Sequence, residues 1–463
     1  MHPLQRRQRT RICFAAIGLT LSVGMLFVLP GCSSKPSYSL SGSVSSAGSA
    51  LEGVTMTLSG VGSTTTDANG NYAFSGVAVG TYTVTPSLAG YAFAPRFRTV
   101  YLDGIDAAGF NFNVISEGRT VASTHTIHLK QNGTFWVWGN NATGQLGDGT
   151  TTSRPLPVQL TALTDVASIA AGRDFTVAVK SDASLWTWGG NSSGQLGDGT
   201  ATQRSTPLAI GGMTGIVAFA AGADHAAALK SDGSFWAWGS NANGQFGNGT
   251  QTGSSTPVQI SGLAGVKTIA AGDGYTLVLL SDGTAWAWGN NVNGQLGNGS
   301  ATTSLTPVQV YGLAGVRSLA AGTSHAVALI NDGTVRAWGS NSRGQLGNGT
   351  TTDSTVPVRI EGLTNVIAVS AGNGHTVALR GDGSVWAWGD NASGQLGIGT
   401  QTASASPVMA IGLSGAIGVT AGTGNTFAVK VDGSLWAWGN NLSGQLGDGT
   451  SVDRSIPVRV QLP

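Results

Sequence analysis

The sequence predicts an all-β protein, a seven-bladed β-propeller of four-stranded blades preceded by a small N-terminal β-sandwich domain. Three observations carry this expectation. The segment WVWGNNATGQLGDGT at Trp136–Thr150 returns from Trp186, Trp236, Trp286, Arg336, Trp386 and Trp436, always 50 residues on. A fixed period of this size marks an array whose units complete their cores only against neighbours. Many of the 72 glycines recur at the same place in each copy, as in a turn-rich β protein, and all 13 tryptophans lie in the seven segments. Residues 38–114, in contrast, alternate apolar and polar side chains with the period of two that suits short half-buried strands.

Composition narrows the function classes. The 463 residues leave room for two or three domains, and 23 basic side chains against 22 acidic ones give a net charge of +1. Nucleic acid is not an expected partner, because phosphate contacts need clustered Lys and Arg. Cys13 and Cys32 both precede the folded region, so the mature domains have no disulfide and no Cys-based zinc site.

The N-terminus is an address. Arg6, Arg7, Arg9 and Arg11 precede an apolar run, Ile12 to Leu29, which leads into Leu29-Pro30-Gly31-Cys32 and a polar Ser33-Ser34-Lys35. This pattern resembles a bacterial lipoprotein signal peptide over residues 1–31. The resemblance implies cleavage before Cys32, lipidation of Cys32, and a lipidated tether over 32–37 that holds the protein at the membrane by its acyl chains. It places the chain in the cell envelope, outside the cytoplasm, at the outer membrane or cell surface. An uncleaved anchor is the alternative, since the run is near the minimum length for a span.

Residues 38–114 come next. Val54, Met56 and Leu58 alternate with Thr55 and Thr57, Tyr82 and Val84 with threonines, and Phe110, Phe112 and Val114 with asparagines. Turn signals at Asp67-Ala68-Asn69-Gly70, Val79-Gly80 and Ala89-Gly90 separate the runs. An antiparallel sandwich is expected. The stretch TTTDANGNYAFSGVAVGTYTVTPSLAGYAF resembles the carboxypeptidase-regulatory-like (prealbumin-like) modules of secreted bacterial proteins, which implies a spacer or, in a few members, a carbohydrate binder.

One repeat of the array shows how a blade is built. Val366–Gly372 is a run of small and β-branched residues, His375–Arg380 a second strand, Ser384–Gly389 a third, and Pro407–Ile411 the fourth. Asp382-Gly383 is expected to form a two-residue type I′ turn. Asn132-Gly133 and Asp182-Ala183 depart from the recurrent pair, and the second should be less favourable there. Crowding at the axis assigns the innermost strand to the run ending Ala170-Ala171-Gly172 and its equivalents. The tryptophans suit the wedge between blades, where the gap widens with radius. Trp386 and Trp388, two apart, share one sheet face. Arg336 replaces a Trp, so its wedge should be the weakest or must lay the Arg stem along its neighbour. The last copy ends at Leu462 without a VxxIAAG strand. The N-terminal segment, Arg119–Thr124, is expected to supply one and close the ring by shared pairing.

The combined pattern AG-x-x-H-[ST]-x-A-L, DG-x-x-W-x-WG-x-N-x-x-GQLG-x-GT and PV resembles the RCC1 repeat over residues 115–463. That resemblance implies a seven-bladed propeller and, from plant and bacterial relatives, protein–protein contacts on one face.

No catalytic residue, metal site or cofactor is expected. The position holding His125, Phe175, His225, Tyr275, His325, His375 and Asn425 occurs once per blade and includes a Phe, so structural histidines bonding a neighbouring loop are favoured over a zinc site. The loop Gly139–Gly147 opens no helix and lacks the P-loop Lys, and its Asn and Gln are expected to satisfy backbone groups. Asp148, Asp198 and Asp448 could hold calcium, but Asn248, Asn298, Asn348 and Ile398 take their place elsewhere.

What varies between copies is the better guide to binding. The pairs Arg173-Asp174, Ala223-Asp224, Asp273-Gly274, Thr323-Ser324, Asn373-Gly374 and Thr423-Gly424 differ from blade to blade and should crown one face of the disk. The expected protein is therefore a monomeric, non-enzymatic, lipid-anchored scaffold that holds an unknown protein ligand there. Three alternatives stand beside it: a secreted inhibitor, which the resemblance implies because a bacterial relative blocks β-lactamase; a guanine-nucleotide exchange factor; and a glycan lyase. Location, lack of charge and the unbroken period, which leaves no room for an inserted wedge, oppose the exchange factor.

Overall fold

The computed structural model describes residues 37–46, 49–87, 92–94, 98–115, 119–130 and 134–463. Cys32 with the segment around it, and the Asn132-Gly133 turn, lie outside the described residues.

The N-terminal unit contains β1 (Tyr38–Ser46), β2 (Ser49–Ala50), β3 (Thr55–Leu58), β4 (Gly62–Thr65), β5 (Asn71–Val77), β6 (Gly80–Ser87), β7 (Ala92–Ala94), β8 (Arg98–Leu102) and β9 (Phe112–Ile115). One sheet runs β2-β1-β9-β7 with β5 also on β1, and the other runs β4-β3-β6-β8. Leu40, Val44, Met56, Leu58, Phe74, Val84 and Phe112 fill the space between them. The alternation read from the sequence thus has one face in this core. The sandwich is not wholly antiparallel: β9 lies parallel to β1, Val44 opposite Phe112. The chain reaches β9 by crossing from β8 in the other sheet, a connection too long to be a hairpin.

Seven four-stranded meanders follow. Blade six has Val366–Ala371 innermost, then His375–Arg380 and Val385–Gly389, with Ser404–Met409 outermost. The outer strand starts three residues earlier than its Pro407 signal. That proline, repeated in every blade, removes a donor from the exposed edge and so discourages pairing with another chain.

The hydrophobic core lies in the seams between blades. Each of seven apolar clusters joins one blade to the next; Val327, Val335, Leu346 and Ile360 of blade five, for example, meet Ala378 and Trp388 of blade six. Trp138, Trp188, Trp238, Trp288, Trp338, Trp388 and Trp438 are fully buried there, each contributing about 4 kcal/mol gross from apolar area. The outer tryptophan of each pair, such as Trp386, is half-buried on the same face. Lys130, Lys180, Lys230, Arg380 and Lys430 each sit over the ring of an outer tryptophan, 4.6–5.8 Å from its centroid. Blade five exchanges the two: Arg336 replaces the tryptophan, while Ile330 replaces the cation and packs into the seam. Blade four also has an apolar side chain, Leu280, at the cation position but keeps its tryptophan, Trp286.

The ring closes without strand exchange. Blade one takes all four strands from 119–159 and blade seven all four from 416–459. They meet as any other pair does: Trp138 Nε1 donates to the Gln445 carbonyl at 2.8 Å, and Thr420 Oγ1 to the Thr120 carbonyl at 2.9 Å. Arg119–Ala122 completes its own blade, so no strand is missing.

The hairpin also differs from expectation. Arg380 N donates to Ser384 O and Gly383 N to Arg380 O, which makes a three-residue loop. Only Gly383 has positive φ, at 78°. This is a type I turn followed by a left-handed residue, the usual three-residue hairpin. Asp382 instead accepts from Ser384 N and Oγ at 3.0 and 2.6 Å, and Ser384 Oγ accepts from Trp386 Nε1 at 3.1 Å. The turn's carboxylate thereby orients an outer tryptophan. In blade two the left-handed position falls to Ala183, φ 61°. Replacing Ala183 with Gly should raise the urea unfolding midpoint by a gain of about 1 kcal/mol, since a side chain is strained there. An unchanged midpoint would show that the strain is relaxed.

Candidate protein-binding face

The innermost strand of blades two to seven rises to an Ala-Gly pair at the axis, with Val121-Ala122 in blade one, and the next residue reaches the channel mouth. Gly222 shows why the residue there must be small. A Cβ on Gly222 would stand 2.6 Å from the Gly272 carbonyl of the next blade and would collide with the His225 ring. The seven Ala-Gly pairs or their equivalents, with the residues that follow, enclose a cavity of about 320 Å³. Neighbouring blades are tied backbone to backbone around it: Ala223 N donates to Gly272 O, and Asp273 N to Thr323 O.

The expected site residues divide into two rings. Arg173, Ala223, Asp273, Thr323, Asn373 and Thr423 line the mouth itself. Asp174, Asp224, Gly274, Ser324, Gly374 and Gly424 stand one step outward, where their carbonyls accept from the loop after the third strand, as Gly190 N does to Asp174 O at 2.7 Å. Gly274 and Gly374 are buried and present no side chain. Two residues were missed. Ser123 lines the mouth, and Thr124 donates to Arg173 O at 2.7 Å, so blade one completes both rings. The signal was their place just before His125, obscured because Arg119–Thr124 departs from the recurrent VxxIAAG.

Charge gathers on one side of this mouth. Arg173 reaches over two blades, with Nη1 3.2 Å from Asp224 and Nη2 2.8 Å from Asp273. Burial pushes the Asp224 carboxyl up, Arg173 opposes that, and Asp273 and Asp174 reinforce it. The opposite side holds Thr323, Asn373 and Thr423 and is uncharged. Exposed pairs like these contribute at most about 1 kcal/mol each to stability, so their groups are free to serve a partner at little cost to the fold.

Beneath the mouth, the recurrent histidines face the next blade's second strand, not a loop. His225 Nε2 is 3.0 Å from Thr276 Oγ1, whose own proton goes to the Gln245 carbonyl at 2.9 Å. Because that carbonyl only accepts, the histidine must carry its proton on Nε2. His125–Thr176, His325–Thr376 and His375–Thr426 repeat the arrangement. Where the next blade has Ala226 or Ala326 instead of Thr, this position holds Phe175 or Tyr275. All four histidines are fully buried, and burial lowers His125 and His325 to about 3 and His225 and His375 to about 4. They are neutral wedge residues. Among the described residues no cluster of three metal-ligating side chains exists.

Residues 134–463 match the RCC1-like domain, and residues 39–114 the carboxypeptidase regulatory-like domain. The first match covers well over half of the chain. The chain belongs to the RCC1-like domain family. The chain is similar to the yeast RCC1 (Prp20) solved bound to Kap60, at 24% identity over 74% of this chain and 85% of that one, TM-score 0.65. A structure of Prp20p from Saccharomyces cerevisiae, described with its binding properties to Gsp1p and histones, is 24% identical over 74% and 88%, TM-score 0.66. Human WBSCR16 is 25% identical over 72% and 94%, TM-score 0.66. No curated protein sequence matches.

The long loop of each RCC1-like blade is structural, as its repetition implied. Asn141 Oδ1 accepts from Leu146 N, while its Nδ2 donates to Thr150 O and Thr152 O, so one buried amide holds the loop. Asp148, Asp198 and Asp448 form ion pairs with Arg154, Arg204 and Arg454. Burial raises the Asp148 pKa, but hydrogen bonds from Thr150 and Arg154 outweigh it and leave it below the usual value.

The buried histidines make stability pH-dependent. Their folded pKa lies below the ordinary 6.5, so between 6.5 and about 4 only the unfolded chain takes up protons. Stability should be full above that window and fall with pH through it, by about 1.4 kcal/mol per pH unit for each such proton. Urea unfolding across the window measures this slope. The double variant His225→Phe, Thr276→Ala, which copies the apolar seams, should reduce the slope by one proton, whereas an unaltered slope would place the titration elsewhere.

Proposed function

We propose that this protein is a non-enzymatic, monomeric scaffold, lipid-anchored through Cys32 outside the cytoplasm, that holds a protein ligand over the upper channel mouth. The observation that carries the reading is where the blades differ. Their seams and loops repeat almost residue for residue, while the mouth places Arg173, Asp224 and Asp273 on one side and uncharged Thr323, Asn373 and Thr423 on the other. A closed ring gains nothing from such asymmetry, but a partner that must dock in one orientation does. Binding of Kap60, Gsp1p and histones by the yeast relative supports a partner-holding role for this kind of propeller. Enzymes assemble converging acids, bases or metals in a cleft, and the mouth offers instead one shared ion-pair cluster with small side chains.

Two measurements test this. Reversing charge with Asp224→Lys and Asp273→Lys should weaken capture of the cognate protein by the full-length chain at least about tenfold, a loss of about 1.4 kcal/mol, with an unchanged unfolding midpoint. Retained capture would remove the upper mouth from the reading. Cys32→Ser should move the protein from the membrane to the soluble fraction of its host. If the captured partner were a cytoplasmic GTPase whose nucleotide release it accelerates, the scaffold reading would fail. If the partner were an enzyme that lost activity on binding, the scaffold would be an inhibitor.

A further inference from the structure

The lower end of the channel has a different chemistry. A second cavity, of about 520 Å³, opens among the innermost strands of blades one to four where they begin. Arg119, Lys180 and Lys267 stand in its wall, with Val217, Phe219 and Ile269 between them. Arg119 is positioned across the seam by a bond from Nη1 to Ser168 Oγ at 3.0 Å, and Lys180 is held 5.7 Å above the Trp186 ring. Among the described residues none of the three cations forms an ion pair. No carboxylate lines the cavity: Asp165 and Asp182 accept from Thr164 and Ser184, and Asp182, between the lining residues Ser181 and Ala183, offsets part of the Lys180 charge. Val217 is 61% exposed, a large apolar side chain left in water beside these cations.

We propose that this lower cavity binds an acidic peptide segment in which carboxylate side chains are flanked by apolar ones. The cations come from three different blades, which suits several carboxylates spread along a chain. The apolar side chains lie between them, so a peptide that alternates the two types meets both. A fatty acid would satisfy one cation and needs an enclosed tunnel for its tail, whereas this cavity is open along the ends of its strands. The site is separate from the upper mouth, at the other end of the innermost strands, and stands or falls independently of the reading given for that mouth.

The test uses the full-length protein and two peptides labelled with rhodamine on the N-terminal amine and amidated at the C-terminus, Asp-Leu-Glu-Phe and its neutral counterpart Asn-Leu-Gln-Phe. Fluorescence anisotropy should show saturable binding of the acidic peptide, weakening as added salt screens the contacts. The neutral peptide should bind about tenfold more weakly or not at all. Lys267→Glu combined with Arg119→Glu, both exposed and outside the apolar core of the seams, should reduce affinity about tenfold, while Arg173→Ala at the upper mouth leaves it unchanged. Equal affinity for the two peptides, no binding of either, or indifference to the double reversal would overturn the proposal. Displacement of the peptide by laurate at equal or lower concentration would also overturn it, in favour of a fatty acid.

Discussion

The hydrogen bond from each inner tryptophan to a glutamine carbonyl of the preceding blade is the constraint on which the rest of the structure depends. It is made at all seven seams, with Nε1 to oxygen distances of 2.7–2.9 Å, the closure between blades seven and one included. A fully buried indole N–H without an acceptor would cost more than a typical hydrogen bond contributes. The blades must therefore sit at the one angle that lets the ring fill the wedge and reach the carbonyl. The loop bends to allow it: Gly147 has φ 74°, and a Cβ there would stand 2.6 Å from Trp188 Nε1. Seven equal angles close a circle, so closure needs no exchanged strand.

Within that frame, departures come in compensated pairs. The same glutamine carbonyl can accept a second proton, and it does so from threonine wherever the preceding blade has a histidine to supply the hydroxyl in turn. Where threonine gives way to Ala226 or Ala326, the histidine gives way to Phe175 or Tyr275, and Tyr275 directs its hydroxyl to the His325 carbonyl at 2.6 Å. Asp148 goes with Arg154, while Asn248 goes with Ser254. Asn425 breaks the pattern: its amide is buried at the closing seam with no protein partner among the described residues, and the Nδ1 atoms of His125, His225, His325 and His375 are likewise buried without one; we have no physical account of Asn425. These pairings preserve the threonine, histidine and carbonyl bonds across the seams, which explains how copies can diverge while their spacing stays constant.

Charged side chains that differ between blades line both rims of the channel. The upper rim carries aspartates bridged by Arg173, and the lower carries Arg119, Lys180 and Lys267 without a carboxylate in the wall. Net charge conceals this, because the total of +1 sums both rims with every other charge of the chain. The protein is thus a rigid ring whose ends present distinct electrostatic surfaces. Such a ring can align a partner, or two partners on opposite sides, without itself changing shape.

Much of this was legible in the residues. The period, the paired tryptophans and the Ala-Ala-Gly runs determined blade number, seam packing and the inner strand, because each reports a requirement of volume that is local to one repeat. The sandwich core followed from strict alternation. The parallel pairing of β9 with β1, the three-residue hairpin around Gly383, the self-contained closure and the place of Ser123 and Thr124 in the mouth were decided only by the tertiary structure. Apart from the hairpin, whose bonds are local and whose turn type the Asp-Gly pair leaves open, the deciding contact joins residues that no local pattern relates. The histidine ring shows the division best. Its burial could be argued from one copy, but its hydrogen-bond partner lies 51 residues on, across a seam that exists only when two blades meet at the angle set by the tryptophan.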